Sequence, residues 1–138
     1  MVTDYLKLKD ALVSSDAYAT SNHAKEVVSS LSNVNMSLVK GELHMQWMEY
    51  LNELKAQSEI IQNQQDLKVQ RQTFISLSET LIQTVKTFKV PGVIYQQHCP
   101  MANGGVGADW LSTEEEISNP YFGNKMLRCG ETIEEIQF

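Results

Sequence analysis

Apolar residues recur at helical spacing through most of the first 90 positions. Tyr5, Leu8 and Leu12, flanked by Leu6 and Val13, predict a first helix over about 3–14, capped by Thr3 or Asp4. Ser14, Ser15 and Asp16 then offer a fresh cap. Ala17, Ala24, Val27, Val28, Leu31 and Val34 form the stripe of a second helix over about 16–33. A continuous bend between these two helices is an open alternative to a clean loop. Beyond Gly41, the residues Leu43, Trp47, Tyr50, Leu51, Leu54 and Ile61 mark a third helix over about 38–64. Asp66 caps a fourth over about 66–88, whose stripe is Leu67, Phe74, Leu77, Leu81, Val85 and Phe88, widened by Ile75 and Ile82. The polar break at 62–65 holds neither Gly nor Pro, so a single long third-plus-fourth helix is the rival reading.

After Pro91 the period changes. Val93, Ile94 and Tyr95 in the stretch 92–98 predict a short strand, and residues 108–112 its antiparallel partner, with Asn103, Gly104 and Gly105 turning between them. Asn119-Pro120 and Gly123-Asn124 predict further turns, and 125–136 a last strand bent near Gly130. Ser112-Thr113 before Glu114, Glu115 and Glu116 reads as the cap and acidic first turn of a short helix. All three prolines and six of the seven glycines lie from Pro91 onward. The pattern as a whole predicts one mainly α (α+β) domain over 1–138. Residues 1–90 form an antiparallel four-helix bundle, and a Gly/Pro-rich segment of short antiparallel strands and turns, 91–138, packs on it as a cap.

A hydrophobic fraction of 42% and a charged fraction of 20% belong to an ordinary globular chain of one domain. The net charge of -6 argues against nucleic acid or an anionic membrane as partner, since both require a basic face. No stretch reaches the ~20 apolar residues of a membrane span, so direct membrane insertion is not expected.

The chemistry-bearing residues concentrate in the cap. Cys99 and Cys129 each have a methionine nearby, Met101 and Met126, and His98 adjoins Cys99. Thiolates, thioethers and imidazole are soft or borderline ligands that together favour Cu(I) or Ag(I). The stretch 99–101 must meet 126–129 for such a site to exist. Two cysteines are equally compatible with a disulfide closing a loop of about 30 residues, or with buried thiols, and the count leaves these alternatives open. His44, Met45 and Met48 form a smaller cluster, read as a helix face beside Trp47. Met36 reads as packing. Trp110, Tyr121 and Phe122 read as anchors pinning the cap to the helices. No phosphate loop, metalloprotease motif or Ser/His/Asp pattern is present, and neighbours on a strand face opposite ways, so His98 is poorly placed as a base for Cys99. The chain is not expected to be an enzyme.

The segments at 5–13 (YLKLKDALV), 70–78 (QRQTFISLS), 99–102 (CPMA), 107–112 (GADWLS) and 119–130 (NPYFGNKMLRCG) occur in that order. Together they resemble a bacterial domain family of unknown function. It is found as a secreted single domain and fused to the membrane-fusion subunits of CusB-type copper/silver efflux systems. The resemblance implies a periplasmic or exported protein, with a signal or lipoprotein segment trimmed ahead of Met1, and an efflux-system membrane-fusion protein as partner. It also implies Cys99, Met101, Met126 and Cys129, then His98, as ligands of Cu(I) or Ag(I). The competing expectation is a structural or protein-interaction module with Cys99 and Cys129 as a disulfide or buried thiols.

Overall fold

The computed structural model describes residues 1–34 and 40–138. Four helices are followed by a three-stranded antiparallel sheet: α1 (Val2–Val13), α2 (Ala17–Ser32), α3 (Glu42–Gln62), α4 (Leu67–Phe88), β1 (Val93–Cys99), β2 (Ala108–Ser112) and β3 (Glu131–Gln137). The chain is α+β and mainly helical. Each helix packs against the next in sequence, and α4 carries the sheet through β2. Among the described residues no helix is long and apolar enough to cross a membrane. The packing role read for Met36 and the first residues of the expected third helix, at 38–39, lie outside the described residues.

Local chemistry accounts for the helix boundaries. Asp16 caps α2, its carboxylate accepting from the Ala19 N–H at 3.0 Å, and Asp66 caps α4 by accepting from the Lys68 N–H at 2.9 Å. The first helix differs from expectation: Met1 occupies the cap position without a side-chain bond, and Asp4 instead takes the Ser30 hydroxyl of α2. A clean break separates α1 from α2, since Ser15 adopts φ +55°, and the run 63–66 separates α3 from α4. Leu43, assigned to the core stripe of the third helix, is 52% exposed. The helix starts only one residue before it, and its first turns reach the rest of the fold through Trp47 and Tyr50, whose rings meet Phe88 edge-on.

The sheet order is β2-β1-β3. Tyr95 pairs with Ser112 and Cys99 with Ala108 on one side of β1; Val93 pairs with Gln137 and His98 with Glu131 on the other, with a bulge at Gln96/Gln97. The expected last strand begins six residues late, because Gly123–Lys125 and Met126–Cys129 are turns. The short helix expected after Ser112 is absent. Ser112 Oγ does accept the Glu114 N–H at 3.1 Å, but the carbonyls of Glu114 and Glu115 accept from the buried Gln97 amide at 2.8 and 3.2 Å, which takes them out of a helical ladder.

Two elements bind the cap to the helices. One is an aromatic chain. Tyr5 stacks on Phe74 at 5.1 Å, Phe74 meets Tyr121 at 5.8 Å, and Tyr121 meets Trp110 edge-on at 5.9 Å. The other is a buried polar cluster at the outer edge of β2. The Leu111 N–H donates to the Tyr5 hydroxyl at 3.1 Å, and the Tyr121 hydroxyl donates to the Asp109 carbonyl at 2.6 Å. Tyr5 Oη also bonds Ser78 Oγ of α4 at 2.7 Å. Around this cluster Arg71 ties α4 to the Leu12 carbonyl, Ser15 Oγ and the Pro120 carbonyl, each at 2.9 Å.

Burial raises the pKa of both phenols, Tyr5 and Tyr121, above the ordinary value. The folded state therefore holds these protons more tightly than the unfolded chain. Stability is full below the unfolded tyrosine pKa of about 10 and falls as pH climbs from there through the folded values. We predict a urea midpoint that is flat from pH 7 to 9 and drops above pH 10. In Tyr5→Phe the alkaline drop should be shallower, and the variant should lose about 1–3 kcal/mol at pH 7 because the Leu111 N–H and Ser78 lose their partner. A midpoint unchanged up to pH 11 would refute this account.

Candidate functional site

The site is built from two turns that meet at the end of β1. The first follows Cys99. Pro100 opens it, and the Ala102 N–H closes it on the Cys99 carbonyl at 3.4 Å. Met101 stands in this turn, 57% exposed. The Ala102 carbonyl then takes the N–H groups of Gly105 at 3.2 Å and Gly107 at 2.9 Å, which brings the chain back into β2. The second turn precedes β3. The Cys129 N–H donates to the Met126 carbonyl at 3.1 Å, and Met126 is 36% exposed.

Asn119 positions the second turn. It is fully buried, and its amide donates to the Cys129 carbonyl at 2.9 Å. Its side-chain oxygen accepts from the Tyr121 and Phe122 N–H groups at 2.8 and 3.2 Å, while its own N–H donates to the Leu127 carbonyl at 2.9 Å. The sequence marks Asn119-Pro120 only as a turn. The signal for the further role is the asparagine itself, whose amide can bind the backbone on both sides of a loop. Gly130 completes the approach: at φ +131° it passes so close to β1 that a Cβ would lie 2.7 Å from the His98 carbonyl oxygen.

The result is a thiol pair. Cys99 Sγ and Cys129 Sγ are 3.3 Å apart, from residues 30 positions apart in sequence, and both are free. Cys99 is fully buried and Cys129 half-buried. The pKa of Cys129 is raised, first by its hydrogen bond to Cys99, then by burial and by repulsion from a Cys99 thiolate.

His98 does not join the thiols. Residues opposite in register share a face, so Cys99 lies with Ala108 and His98 with Asp109 on the other side of the sheet. The His98 Nδ1–H donates to Asp109 Oδ1 at 2.5 Å, and Gln96 Nε2 donates to the second carboxylate oxygen at 2.7 Å. The imidazole lies over Gly107, where a Cβ would stand 2.6 Å from its Cε1. Among the described residues no group of three or more His, Cys, Asp or Glu side chains is placed to hold a metal ion. Met101 and Met126 stand on the same two turns as the neighbours of the thiols in sequence. A groove of about 490 Å³ runs between the first turn and α4, lined by Arg71, Ile75, Ala102, Asn103, Tyr121 and Phe122; neither thiol lines it.

Fold and site define a mainly helical α+β domain with a paired-thiol cap. Its family is set by the helices: the chain belongs to the family described as protein of unknown function (DUF3347), whose model matches residues 1–91. The matched part comprises all four helices and ends before β1, so the thiol pair lies beyond it. No curated protein and no solved structure gives a significant match.

The shared hydrogen bond makes a test. Cys99→Ala removes the main cause of the raised Cys129 pKa, so Cys129 should be alkylated by iodoacetamide at lower pH in the variant than in the parent. A rate–pH profile for Cys129 that does not move would show that the two sulfurs are not in contact. Gly130→Ala should disturb the same pair, because the alanine is strained at positive φ and its Cβ meets β1. We expect destabilisation of about 1–3 kcal/mol by urea unfolding.

Proposed function

We propose that this chain is a non-enzymatic carrier of a soft monovalent metal, Cu(I) or Ag(I), held by Cys99 and Cys129 with Met101 and Met126 as thioether ligands. The 3.3 Å approach of two free thiols carries this reading. A cation bound by two thiolates at about 2.3 Å each, at a tetrahedral angle, spans sulfurs roughly 3.8 Å apart. The pair needs to open by only about half an ångström; Cys129 lies at the end of a turn, and Cys99 is the last residue of β1, beside one. Thiolate and thioether donors select Cu(I) over hard cations. Met101 and Met126 are exposed, whereas Cys99 is buried.

Within this reading the helices act as the scaffold, as an antiparallel four-helix bundle, and the cap is the metal-handling part. The protein works in the periplasm or another exported location and passes metal to an efflux-system membrane-fusion protein by ligand exchange. His98 is not a ligand of the thiol site, since it faces away and is held by Asp109.

An anaerobic Cu(I) titration of the reduced protein against a chromophoric chelator tests this. We expect uptake of one equivalent, its loss in Cys99→Ala/Cys129→Ala, a fall in affinity of about tenfold for Met101→Leu or Met126→Leu, and little change for His98→Ala. Equal affinity in the parent and the double cysteine variant would reject the carrier reading. It would favour a structural or interaction module in which the thiols serve packing.

A further inference from the structure

The two sulfurs differ in exposure, and this difference has a chemical meaning. Cys99 ends β1 with no accessible surface, whereas Cys129 is half-buried at the end of a turn. A reagent from solvent reaches Cys129 first. Cys99 Sγ already stands 3.3 Å from Cys129 Sγ, so it can attack that sulfur without a search. Neither segment that flanks Cys129 is a helix or strand at this point. Met126–Cys129 is a turn, and the residue after Cys129 is Gly130.

We propose that Cys99 and Cys129 are a reversible thiol–disulfide couple, in which Cys129 is the entry thiol and Cys99 the resolving thiol. With a small disulfide as oxidant, the Cys129 thiolate attacks one oxidant sulfur. A Cys129–oxidant bond forms, the oxidant's own S–S bond breaks, and one thiolate leaves and takes up the proton that Cys129 gave up. Cys99 then loses its proton and attacks Cys129 Sγ. The Cys99–Cys129 bond forms, and the second oxidant thiol leaves with that proton. The two cysteines are oxidised and one oxidant disulfide is reduced to two thiols.

The couple stands on the sulfur geometry alone and holds whether or not a metal binds. Its bearing on metal rests on the carrier reading: the disulfide has no thiolate to offer, so oxidation switches uptake off. The bond would also close the 30-residue span containing β2 and the long connection to β3, which tethers the cap more firmly.

The test treats the reduced chain, residues 1–138, with oxidised glutathione and follows it by intact mass and free-thiol count. The parent should lose two hydrogens and both thiols, without accumulating glutathione adduct, and should melt at a higher temperature once oxidised. Cys99→Ser should stop at a glutathione adduct on Cys129. Cys129→Ser should react at least tenfold more slowly, because only the buried thiol remains. A parent that retains both thiols, or stops at a stable adduct, overturns the proposal; so does Cys129→Ser reacting as fast as Cys99→Ser. The Cu(I) titration is then repeated on the oxidised protein. Uptake by the reduced form alone supports the switch, and equal uptake by both forms refutes it. If the disulfide forms but the reduced protein takes no Cu(I), the carrier reading fails while the couple stands.

Discussion

The outer edge of β2 faces the helices, and its backbone must find partners inside the protein. An unpaired N–H or C=O buried there would cost on the order of 1–3 kcal/mol. Tyr5 and Tyr121 meet that need with one hydroxyl each, from opposite directions in sequence, on the Leu111 N–H and the Asp109 carbonyl. The rest of the structure follows from this. Tyr5 is held by Ser78 and stacked on Phe74, so α1 and α4 are fixed relative to the sheet. Tyr121 fixes the 119–122 turn, Asn119 in that turn fixes Cys129, and Cys129 meets Cys99. The thiol pair is thus the far end of a chain of contacts that starts in the helical core.

How much of this was legible in the sequence depends on the range of the interaction. The helices were legible because their apolar stripes and caps are local: Asp16 and Asp66 do what an aspartate before a stripe is expected to do. The first hairpin was legible for the same reason, since Asn103-Gly104-Gly105 is a turn of positive φ at each residue. The polar residues with distant partners were not legible. Gln97, buried in a strand, draws the carbonyls of Glu114 and Glu115 to itself, and the short helix expected there does not form. Leu43 carries the right spacing for the core, but it lies too near the start of α3 to be covered.

For the candidate site, residue type and turn spacing singled out the two cysteines, and the fold places their sulfurs 3.3 Å apart. Alternation along β1 already implied that His98 and Cys99 diverge, and the structure adds the cause that holds them apart: Asp109 opposite His98, with Gln96 on its second oxygen. What could not be read was Asn119 as the residue that anchors Cys129: its bonds to the Tyr121 and Phe122 N–H groups are local to the turn, but its bond to the Cys129 carbonyl joins residues whose proximity exists only in the folded chain. The family match is likewise carried by the helices and does not extend to the strands.

The free edge of the sheet is β3, and along it only Ile136 is buried. Such an edge is a template for another strand, and Ile133 at 49% exposure would favour the contact. Glu131, Glu134 and Glu135 stand on the same strand, with Lys86 taking only Glu134, at 2.5 Å. A second copy approaching edge to edge would press carboxylate against carboxylate in a chain that already carries a net charge of -6. The acidic strand therefore works against edge-to-edge pairing of two copies through β3.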